Sequence, residues 1–449
     1  MKKFSRLQLR ELVFIKGGKR LPLGEEFSTQ TTSHPYIRAR DIGSGNIRVH
    51  DAVYLSDDMA QKLSRYRVSK GDVCITIVGA NVGEMGVVPP ELEGANFTEN
   101  AVRITGNGKI VQGFLKYALL AEDALAQMKV LAGGAAQPKL GIYKIETVEI
   151  PSPPLPTQRK IAAILSAYDD LIENNLRRIK ILEEMAQNLY REWFVKFRFP
   201  ACAAGAAGRP GHQQARFVDS PLGRIPEGWE VVRFSDLIAS GLGGDWGLDE
   251  PAAEENAPVY VIRGTDFDNI VSGTALRVPR RFITSSSLRR RQLKAWDLLV
   301  ENSINAKSRC VGTTLLITDG ILQRLSDPAI AASFCKVYRL KEPSLAPLAH
   351  LHMRNLYREG RMAFYQNVAA NGIGNFQSQR FLESEHLVFP SDSQRKKQML
   401  SYLRYLTSST LADQAFTLRR TRDLLLPKLI SGEVDVSELD IAVPEEAIA

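Results

Sequence analysis

The chain has 449 residues, of which 44% are hydrophobic and 24% charged, so it is long enough for more than one core and for roughly two to four domains. Lysine and arginine number 58 against 50 acidic residues, and the net charge of +8 is a moderate bias toward polyanionic partners such as nucleic acid. Four cysteines without a CxxC pair argue against a disulfide framework and a zinc cluster, and no run of about 18 apolar residues occurs, so we expect no signal peptide, no membrane span and a cytoplasmic location.

The first 155 residues predict a domain of mixed α and β structure that is rich in strands, which we call the first head. Short β-like runs such as YIRARDI and GDVCITIVG alternate with glycine and proline. Residues 112–130 carry apolar side chains at helical spacing, so one helix is expected among the strands.

Residues 156–199 predict one long helix with a narrow apolar seam. Steps of four and three residues join the seam positions, which is the heptad spacing of a helix that packs along its length against another helix. The seam consists of Ile161, Leu165, Tyr168, Ile172, Asn175, Ile179, Leu182, Ala186, Leu189 and Trp193. Asn175 is its one polar member, and a polar residue in a seam can fix the register of the pair.

A second copy of this arrangement follows. Residues 200–220 are rich in alanine, glycine and proline at their start and predict a linker, and residues 221–390 predict a second head with the same order of strands and helix. Arg38 and Arg263 are 225 residues apart, as are Asp41 and Asp266, and so are Asp72 and Asp297. Three pairs in one register indicate an internal duplication.

The duplication extends into the helices. Gln-Arg-Lys starts the first helix at 158 and recurs at 394, where residues 391–436 predict a second long helix that Pro427 and Gly432 would close. Residues 437–449 are expected to form a flexible tail. The predicted fold is therefore α+β, with two similar heads, two long helices packed as an antiparallel coiled coil, and a pseudo-twofold internal repeat. The alternative is that the helices serve only as an intramolecular core.

Motifs for enzymatic chemistry are missing from the sequence. It contains no NPP motif for adenine methylation and no GxxxxGK[ST] loop for ATP, and GSGN at 43–46 lacks the third glycine of a dinucleotide fingerprint. His350 and His352 form an HxH pair that is more often found on a helix surface than in a metal site. We therefore predict a non-catalytic chain with no metal site and no cofactor of its own.

Basic and amide side chains supply the candidates for DNA contact, because Arg and Lys recognise guanine and phosphate whereas Asn and Gln recognise adenine. The clearest basic patch is residues 276–309, with nine basic side chains against Asp297 and Glu301; its alternative interpretation is a solvated surface. Two glycine-rich loops, GGAAQPKLG and ANGIGNFQSQR, lie at matching places in the repeat and either read bases or are simply tight turns. The predicted DNA contacts are Lys19, Arg20, Arg38, Arg40, Asn81, Gln137, Lys139, Arg263, Arg280, Arg281, Arg289, Arg290, Arg291, Asn302, Asn305, Lys307, Arg309, Asn371, Asn375 and Gln377.

The long helices supply candidates for packing and for docking of partner proteins. We expect the Gln-Arg-Lys starts to be exposed, which would suit docking. The candidates are Gln158, Arg159, Ile161, Leu165, Ile172, Asn175, Ile179, Leu182, Leu189, Trp193, Gln394, Arg395, Leu403, Leu418 and Leu425.

Three segments together resemble a known family. The runs PSPPLPTQRKIAAILSAYDDLIENNLRRIKILEEMAQNLYREWFVKF, PLGRIPEGWEVVRFSDL and LLLPKLISGEVDV are similar to the DNA-specificity (S) subunit of Type I restriction-modification systems, and the resemblance covers essentially the whole chain. The second helix departs from the pattern, since QRKKQMLSYLRYL replaces the more apolar QRKIAAIL type of start.

The resemblance implies that each head is a target recognition domain that reads one half of a bipartite, asymmetric DNA sequence. It implies that the helices set the distance between half-sites and dock two copies of an adenine-methylating modification subunit, with restriction (translocase-nuclease) subunits as further partners. S-adenosylmethionine, ATP and Mg²⁺ would belong to those partners. The rival hypotheses are a self-sufficient restriction or modification enzyme and a DNA-binding scaffold or repressor without methyltransferase partners.

Overall fold

A computed structural model describes residues 4–43, 45–49, 52–133, 138–199, 216–274, 278–305 and 309–444. The chain divides into two compact units. The first unit comprises Met1–Asp170 with Arg419–Ala449, and the second comprises Leu171–Leu418. Both predicted helical segments, 156–199 and 391–436, are thus shared between the units. The predicted linker at 200–220 lies outside the described residues except for 216–220, and so do residues 445–449 of the predicted tail.

Among its described residues, the first unit contains eleven strands and five short helices before the long helix. The strands are β1 Arg6–Gln8, β2 Val13–Gly17, β3 Pro35–Ile37, β4 Ile42–Gly43, β5 Gly45–Ile47, β6 Val53–Tyr54, β7 Val73–Thr76, β8 Met85–Val87, β9 Asn96–Phe97, β10 Ala101–Gly106 and β11 Glu149–Pro151. The helices are α1 Leu9–Leu12, α2 Asp57–Lys62, α3 Gln112–Leu120, α4 Glu122–Leu131 and α5 Ile142–Ile145, and 3-10 turns occur at Ala39–Asp41 and Pro90–Leu92. The predicted helix at 112–130 is two helices, α3 and α4, which meet at Ala121.

The described strands of the first unit form three sheets. The largest has the order β2-β10-β7-β8-β5-β4, and β10 is antiparallel to both β2 and β7. A three-stranded sheet has the order β6-β3-β9 with β3 parallel to β9, and β1 pairs with β11. One core cluster joins the large sheet to α3 and α4 and continues to Ile161, Leu165, Leu429 and Ile430 of the long helices.

The long helix α6 runs over Leu155–Tyr190 and ends in a π-helical turn at Arg191–Val195. Every predicted seam position is buried or half-buried, whereas Leu171, Ile181 and Met185 on the same helix are at least half exposed. The seam prediction is therefore confirmed. The helix ends near Phe197, whose φ of 55° lies in the left-handed region.

In the part of the second unit that the structure describes there are fourteen strands and eight helices besides its part of α6. The strands are β12 Phe217–Ser220, β13 Gly223–Pro226, β14 Trp229–Arg233, β15 Ile238–Gly243, β16 Glu255–Ile262, β17 Arg280–Thr284, β18 Leu298–Glu301, β19 Ser303–Asn305, β20 Thr314–Leu316, β21 Ala329–Ala331, β22 Cys335–Leu340, β23 Gln366–Val368, β24 Ile373–Phe376 and β25 His386–Pro390. The helices are α7 Phe234–Leu237, α8 Phe267–Val271, α9 Ser285–Arg291, α10 Asp319–Gln323, α11 Ala346–Arg358, α12 Ser378–Ser384, α13 Ser393–Leu406 and α14 Thr410–Ser431, the last of which continues into the first unit. There are 3-10 turns at Gly264–Asp266, Pro343–Leu345 and Arg361–Tyr365.

The sheets of the second unit repeat those of the first. The order β15-β22-β18-β20 corresponds to β2-β10-β7-β8, β17-β16-β21 corresponds to β6-β3-β9, and the pair β14-β25 corresponds to β1-β11. The middle strand again has one antiparallel and one parallel neighbour, because β16 is parallel to β21. The predicted internal repeat is confirmed at the level of strand order.

The three residue pairs that indicated the duplication occupy equivalent places. Asp72 and Asp297 are almost fully buried, and each accepts a hydrogen bond from the backbone N–H three residues earlier. Each is also paired with an arginine of the neighbouring strand, Arg103 on β10 and Arg339 on β22. A buried carboxylate needs such partners, which explains why the same acid occurs in both copies.

The second predicted helix is interrupted. Its segments α13 and α14 are separated by Thr407, Ser408 and Ser409, and the Thr407 hydroxyl donates to the Leu403 carbonyl at 2.9 Å. Such bonds from a hydroxyl to a nearby carbonyl weaken and bend a helix, and the break lies directly after this one. The expectation that Pro427 closes the helix is wrong because Pro427 lies inside α14, whereas Gly432 does follow its last residue with φ of 79°.

The two long helices are antiparallel within the first unit. The Lys160 ammonium donates at 2.6 Å to the carbonyl of Ser437, which follows the end of α14, and further along α6 Asp169 accepts at 2.6 Å from Arg422 of α14. Partner numbers thus fall as positions on α6 rise. Within the described residues, no helix is long and apolar enough to cross a membrane.

Candidate nucleic-acid interface

The strands β3 and β16 each end in the same arginine-aspartate turn. The predicted strand run YIRARDI stops at Ile37, because the Asp41 carboxylate accepts from the backbone N–H and from the guanidinium of Arg38 at 2.8 to 2.9 Å. Arg263 and Asp266 repeat this arrangement at 2.7 to 2.9 Å. The Asp266 hydrogen bonds hold the Arg263 guanidinium in place at the end of the strand, and they raise its pKa.

A cleft of about 780 Å³ in the second unit contains Arg263 and Arg309. Arg309 donates to the Glu301 carboxylate at 2.7 Å, and Glu301 is buried and also accepts from the Thr313 hydroxyl. The Glu301 carboxylate therefore fixes the orientation of the Arg309 guanidinium within the cleft. Orientation by a buried partner is what a guanidinium needs in order to recognise a base edge with defined geometry.

Two aromatic side chains stand at the rim of the same cleft. Phe334 is 65% exposed and Trp246 is 38% exposed, and the Arg281 guanidinium lies 4.6 Å from the Trp246 ring centre. Burial raises the pKa of the Cys335 thiol, which also lines the cleft, to about 12, so the thiol is neutral at physiological pH. The cleft thus combines guanidinium groups that are each paired with a carboxylate, exposed aromatic rings and polar side chains.

The equivalent cleft of the first unit has a volume of about 630 Å³ and is lined by Arg20 and Arg38. Its lining is more acidic, with Glu25, Glu26 and Glu99. The two clefts are equivalent because Gly18 and Gly244 make the same close approach to the backbone that follows β9 and β21. The two heads therefore share the same backbone arrangement at the cleft but differ in the side chains that line it.

The predicted basic patch at 276–309 is only partly free. Arg280 pairs with Asp327, Arg281 with Asp249, and Arg291 with Asp245. These carboxylates come from outside the window, so a count of charge along the sequence could not reveal them. Arg289 and Arg290 at the end of α9 are exposed, and the structure records no ion pair for either of them among its described residues.

The amide candidates of the second head lie on or directly beside one small sheet with the order β19-β24-β23. Asn375 lies on β24 opposite Ser303, Asn371 is exposed at the turn before it, and Gln377 follows it half-buried. Asn302 is half-buried and precedes β19.

In the first head, Val78, Gly133 and Lys139 form isolated bridges at the corresponding place, so the two glycine-rich loops are equivalent. Lys139 and Asn81 are exposed there, as are Lys19, Arg20 and Arg40 near the cleft. Gln137, Lys307 and the side chain of Asn305 lie outside the described part of the chain.

Sequence reasoning missed three exposed side chains at this surface, Trp246, Phe334 and Asn367. The Asn371-Gly372 dipeptide between two short polar-apolar runs is a hairpin signal and could have located Asn367. Nothing in the sequence pattern singles out Trp246 or Phe334, because an exposed aromatic residue has the same local pattern as a buried one.

The helix candidates are mostly packing residues. Ile161 and Leu165 are fully buried, Ile172, Asn175, Trp193 and Leu403 are buried, and Ile179, Leu182, Leu189, Leu418, Leu425 and Arg159 are half-buried. The expectation of an exposed start is wrong for Gln158, whose side-chain oxygen accepts from the Val111 N–H and whose amide donates to Pro153. Gln394 is exposed, and Arg395 lies 5.6 Å from the Phe199 ring centre.

The histidine pair is buried, which corrects the expectation of a helix-surface pair. His350 lies 3.0 Å from the Thr314 hydroxyl, and burial lowers its pKa to about 3, so it is neutral. His352 lies between the Tyr190 hydroxyl at 2.8 Å and the Glu385 carboxylate at 3.2 Å. Both rings serve in packing and hydrogen bonding within the second unit.

The chain is similar to known proteins over most of its length. Residues 1–184 match the family model described as Type I restriction modification DNA specificity domain. The chain is 24% identical over 420 residues to the MjaIX specificity subunit of Methanocaldococcus jannaschii, covering 90% of this chain and 88% of that protein. It is 22% identical over 410 residues to the HindI specificity subunit of Haemophilus influenzae, covering 82% and 87%.

The fold is also similar to a solved structure. The crystal structure of the S subunit of a Type I restriction-modification system from M. genitalium superposes with a TM-score of 0.52 at 14% identity and covers 95% of this chain and 96% of that one. The fold, the internal repeat and the family match all agree with the resemblance of the helix motifs. Residues 1–184 thus match the Type I restriction modification DNA specificity domain, and the chain is similar over most of its length to specificity subunits of Type I restriction enzymes.

Proposed function

We propose that this chain is the non-catalytic DNA-reading subunit of a Type I restriction-modification complex and that each head reads one half of a bipartite, asymmetric target. The observation that supports this proposal is that both heads have the same backbone arrangement at a cleft, whereas different side chains line the two clefts. Both heads carry the arginine-aspartate turn beside a cleft, but one cleft is lined by Arg20 and three glutamates and the other by Trp246 and Phe334. Two copies of one frame with different surfaces suit two different half-sites.

The long helices would set the distance between the half-sites and dock the partner subunits. The helix α6 belongs to both units, and its outer face exposes Leu171, Ile181 and Met185. Exposed apolar side chains on a helix suit a protein partner. The partners in this proposal are two copies of an adenine-methylating modification subunit, joined by restriction subunits, and S-adenosylmethionine, ATP and Mg²⁺ would be bound by those subunits in the cytoplasm.

Mapping of methylated adenines tests this proposal. The full chain is expressed with the modification subunit encoded beside it, and methylated positions are mapped in the DNA of the host. We expect one bipartite sequence with a constant spacer. Replacement of residues 1–155 by the first head of a relative is expected to change one half of that sequence only, and a change in both halves would contradict independent heads.

The purified chain alone is the matched control. Incubated with DNA and labelled S-adenosylmethionine, it is expected to transfer no methyl group, because the sequence contains no NPP motif. Methyl transfer without a partner would support the rival hypothesis of a self-sufficient enzyme. Sequence-specific binding without any modification partner would support the scaffold or repressor hypothesis.

A further inference from the structure

The hairpin formed by β23 and β24, residues 366–376, is anchored at its base and exposed at its end. We call it the amide hairpin. The Gln366 side-chain oxygen accepts from the Val311 N–H at 2.9 Å, and the buried Phe376 ring lies 5.3 Å from Phe381. Beyond this base, Asn367 and Asn371 are exposed, and Gly372 provides the left-handed turn with φ of 79°.

The exposed end of the amide hairpin is neutral and rich in amides. No residue between 366 and 376 carries a charge. Val368 is 53% exposed and Ile373 is 38% exposed, so apolar side chains alternate with the amides. Asn and Gln side chains pair with adenine, and apolar side chains contact the thymine methyl group, so this mixture is suited to A·T pairs.

The amides are arranged as a row across the sheet. Asn367 on β23 lies directly opposite Asn375 on β24, which lies opposite Ser303 on β19. Residues opposite each other in a sheet project from the same face. The Ser303 hydroxyl donates to the Asn375 side-chain oxygen at 2.7 Å, so the Asn375 amide has a defined orientation with its NH₂ group left to donate.

We propose that the amide hairpin enters the major groove of DNA and that Asn375, supported by Asn367, reads an A·T pair in the half-site of the second head. This inference rests on the proposed function and names the base chemistry of one head. Two strands are about 4.8 Å apart, and the major groove is about 12 Å wide, so a hairpin fits with its side chains. The cleft that contains Arg263 and Arg309 lies beside the amide hairpin, since Ser303 and Ile304 of β19 also line that cleft.

The first head carries a different residue at the equivalent place. Lys139 bridges to Val78 and Gly133, as Asn375 pairs with Ser303 and Asn367. A lysine donates to the O6 and N7 acceptors of guanine, whereas an asparagine both donates to and accepts from adenine. The two heads therefore read unlike bases from one shared position of the fold.

The test compares base preferences of variants on a library of random duplexes. The full chain with its modification subunit is offered the library, and bound or methylated duplexes are sequenced. Asn375→Ala is expected to lose roughly ten- to a hundred-fold of its discrimination at one A·T position of one half-site. Asn375→Lys is expected to move the preference at that position toward G·C and to leave the other half-site unchanged.

Asn256→Ala is the matched control because Asn256 is an exposed strand asparagine of the same head that lies outside the hairpin. It is expected to leave the base preference unchanged, and thermal unfolding checks that all variants are folded. An unchanged base preference in both Asn375 variants would overturn the inference. If these variants also lost binding of the modification subunit, the hairpin would be a protein contact instead. If the chain without any substitution selects no DNA sequence at all, the proposed function itself fails.

Discussion

Asp169 connects both long helices to the first head through side-chain contacts. Its carboxylate accepts from Lys116 at 2.6 Å, from Tyr117 at 2.7 Å and from Arg422 at 2.6 Å. Burial by itself would raise the pKa of Asp169, but the charge and hydrogen bond of Lys116, joined by Arg422, hold it below its ordinary value. The ionised carboxylate is thus part of the folded state.

Asp169→Asn is expected to lower the free energy of unfolding at pH 7 by about 1–3 kcal/mol, because two cations lose their charged partner. A carboxyl whose pKa is lower in the folded state stabilises above its unfolded pKa of about 4, and this contribution is lost as the pH falls through the folded pKa. Urea unfolding at pH 7 and below pH 4 should therefore show a difference that shrinks in acid. A difference that stays constant with pH would contradict this explanation.

Glu173→Gln is the control for that series, since the Glu173–Arg177 pair lies exposed on the same helix. Exposed pairs contribute little because water screens them. The variant is expected to unfold like the original chain at every pH.

Tyr190 shows how a buried hydroxyl joins the end of α6 to the second head. The hydroxyl lies 2.8 Å from His352, and His352 contacts Glu385, which also accepts from Tyr365 at 2.6 Å. Tyr190→Phe is expected to lower the free energy of unfolding by about 1–3 kcal/mol, because a buried hydrogen-bonding partner of His352 is removed. Tyr168→Phe, a half-buried tyrosine of the same helix, is the control for urea unfolding, and an equal loss in both variants would argue against the network.

The break between α13 and α14 packs closely against α10 and the residues next to it in the second head. The Thr318 hydroxyl, which caps α10, donates to Ser409 at 2.7 Å, and Arg324 lies 3.0 Å from the Asp413 carboxylate. An added Cβ at Gly320 would collide with the ends of the Asp413 and Ser409 side chains, which would have to move and lose their present contacts. The break is thus held by contacts that the sequence around 407–409 does not contain.

Gly320→Ala is expected to destabilise the second unit by about 1–3 kcal/mol through overpacking at this junction. Gly243→Ala is the control, because nothing lies within 4 Å of a Cβ built there and its φ is not left-handed. Thermal unfolding of both variants measures the difference. Equal midpoints would show that the junction relaxes without cost.

At the scale of the whole molecule, α6 is predicted to determine the spacer between half-sites. A heptad inserted into its exposed middle adds about 10 Å and preserves the seam, because seven residues complete almost two turns. The spacer in the methylated sequence is expected to change by about three base pairs, given about 3.4 Å per base pair. Seven residues inserted into the predicted linker at 200–220 should leave the spacer unchanged.

An unchanged spacer after the heptad insertion would show that this helix does not set the distance. If the insertion abolished all methylation, a second heptad would be added to α14 so that the two helices again match in length. Recovery of methylation would then show whether the spacer has changed. Mapping of methylated adenines is the measurement in each case.

Much of the architecture follows from local pattern. Heptad spacing predicted the buried seam of α6, and three residue pairs at one offset predicted the repeat, because a duplicated fold keeps the buried acids that its strands require. The helix at 391–436 was predicted as continuous, since its apolar spacing does not show the hydroxyl bonds at Thr407 and Ser409. The candidate site was predicted less well, because Arg280, Arg281 and Arg291 find carboxylates that lie far away in sequence.

By itself the sequence determined the class of fold, the duplication and the family resemblance, because periodicity and repeated motifs are local properties of the chain. Only the tertiary structure decided which cations are neutralised, that Gln158 and His350 are buried, and that Asn367, Asn375 and Ser303 form one row. These facts depend on contacts between residues that lie far apart in the sequence, as for Ser303 and Asn375, which are 72 positions apart. Pairing over such distances is set by packing of the whole unit, and no local pattern contains it.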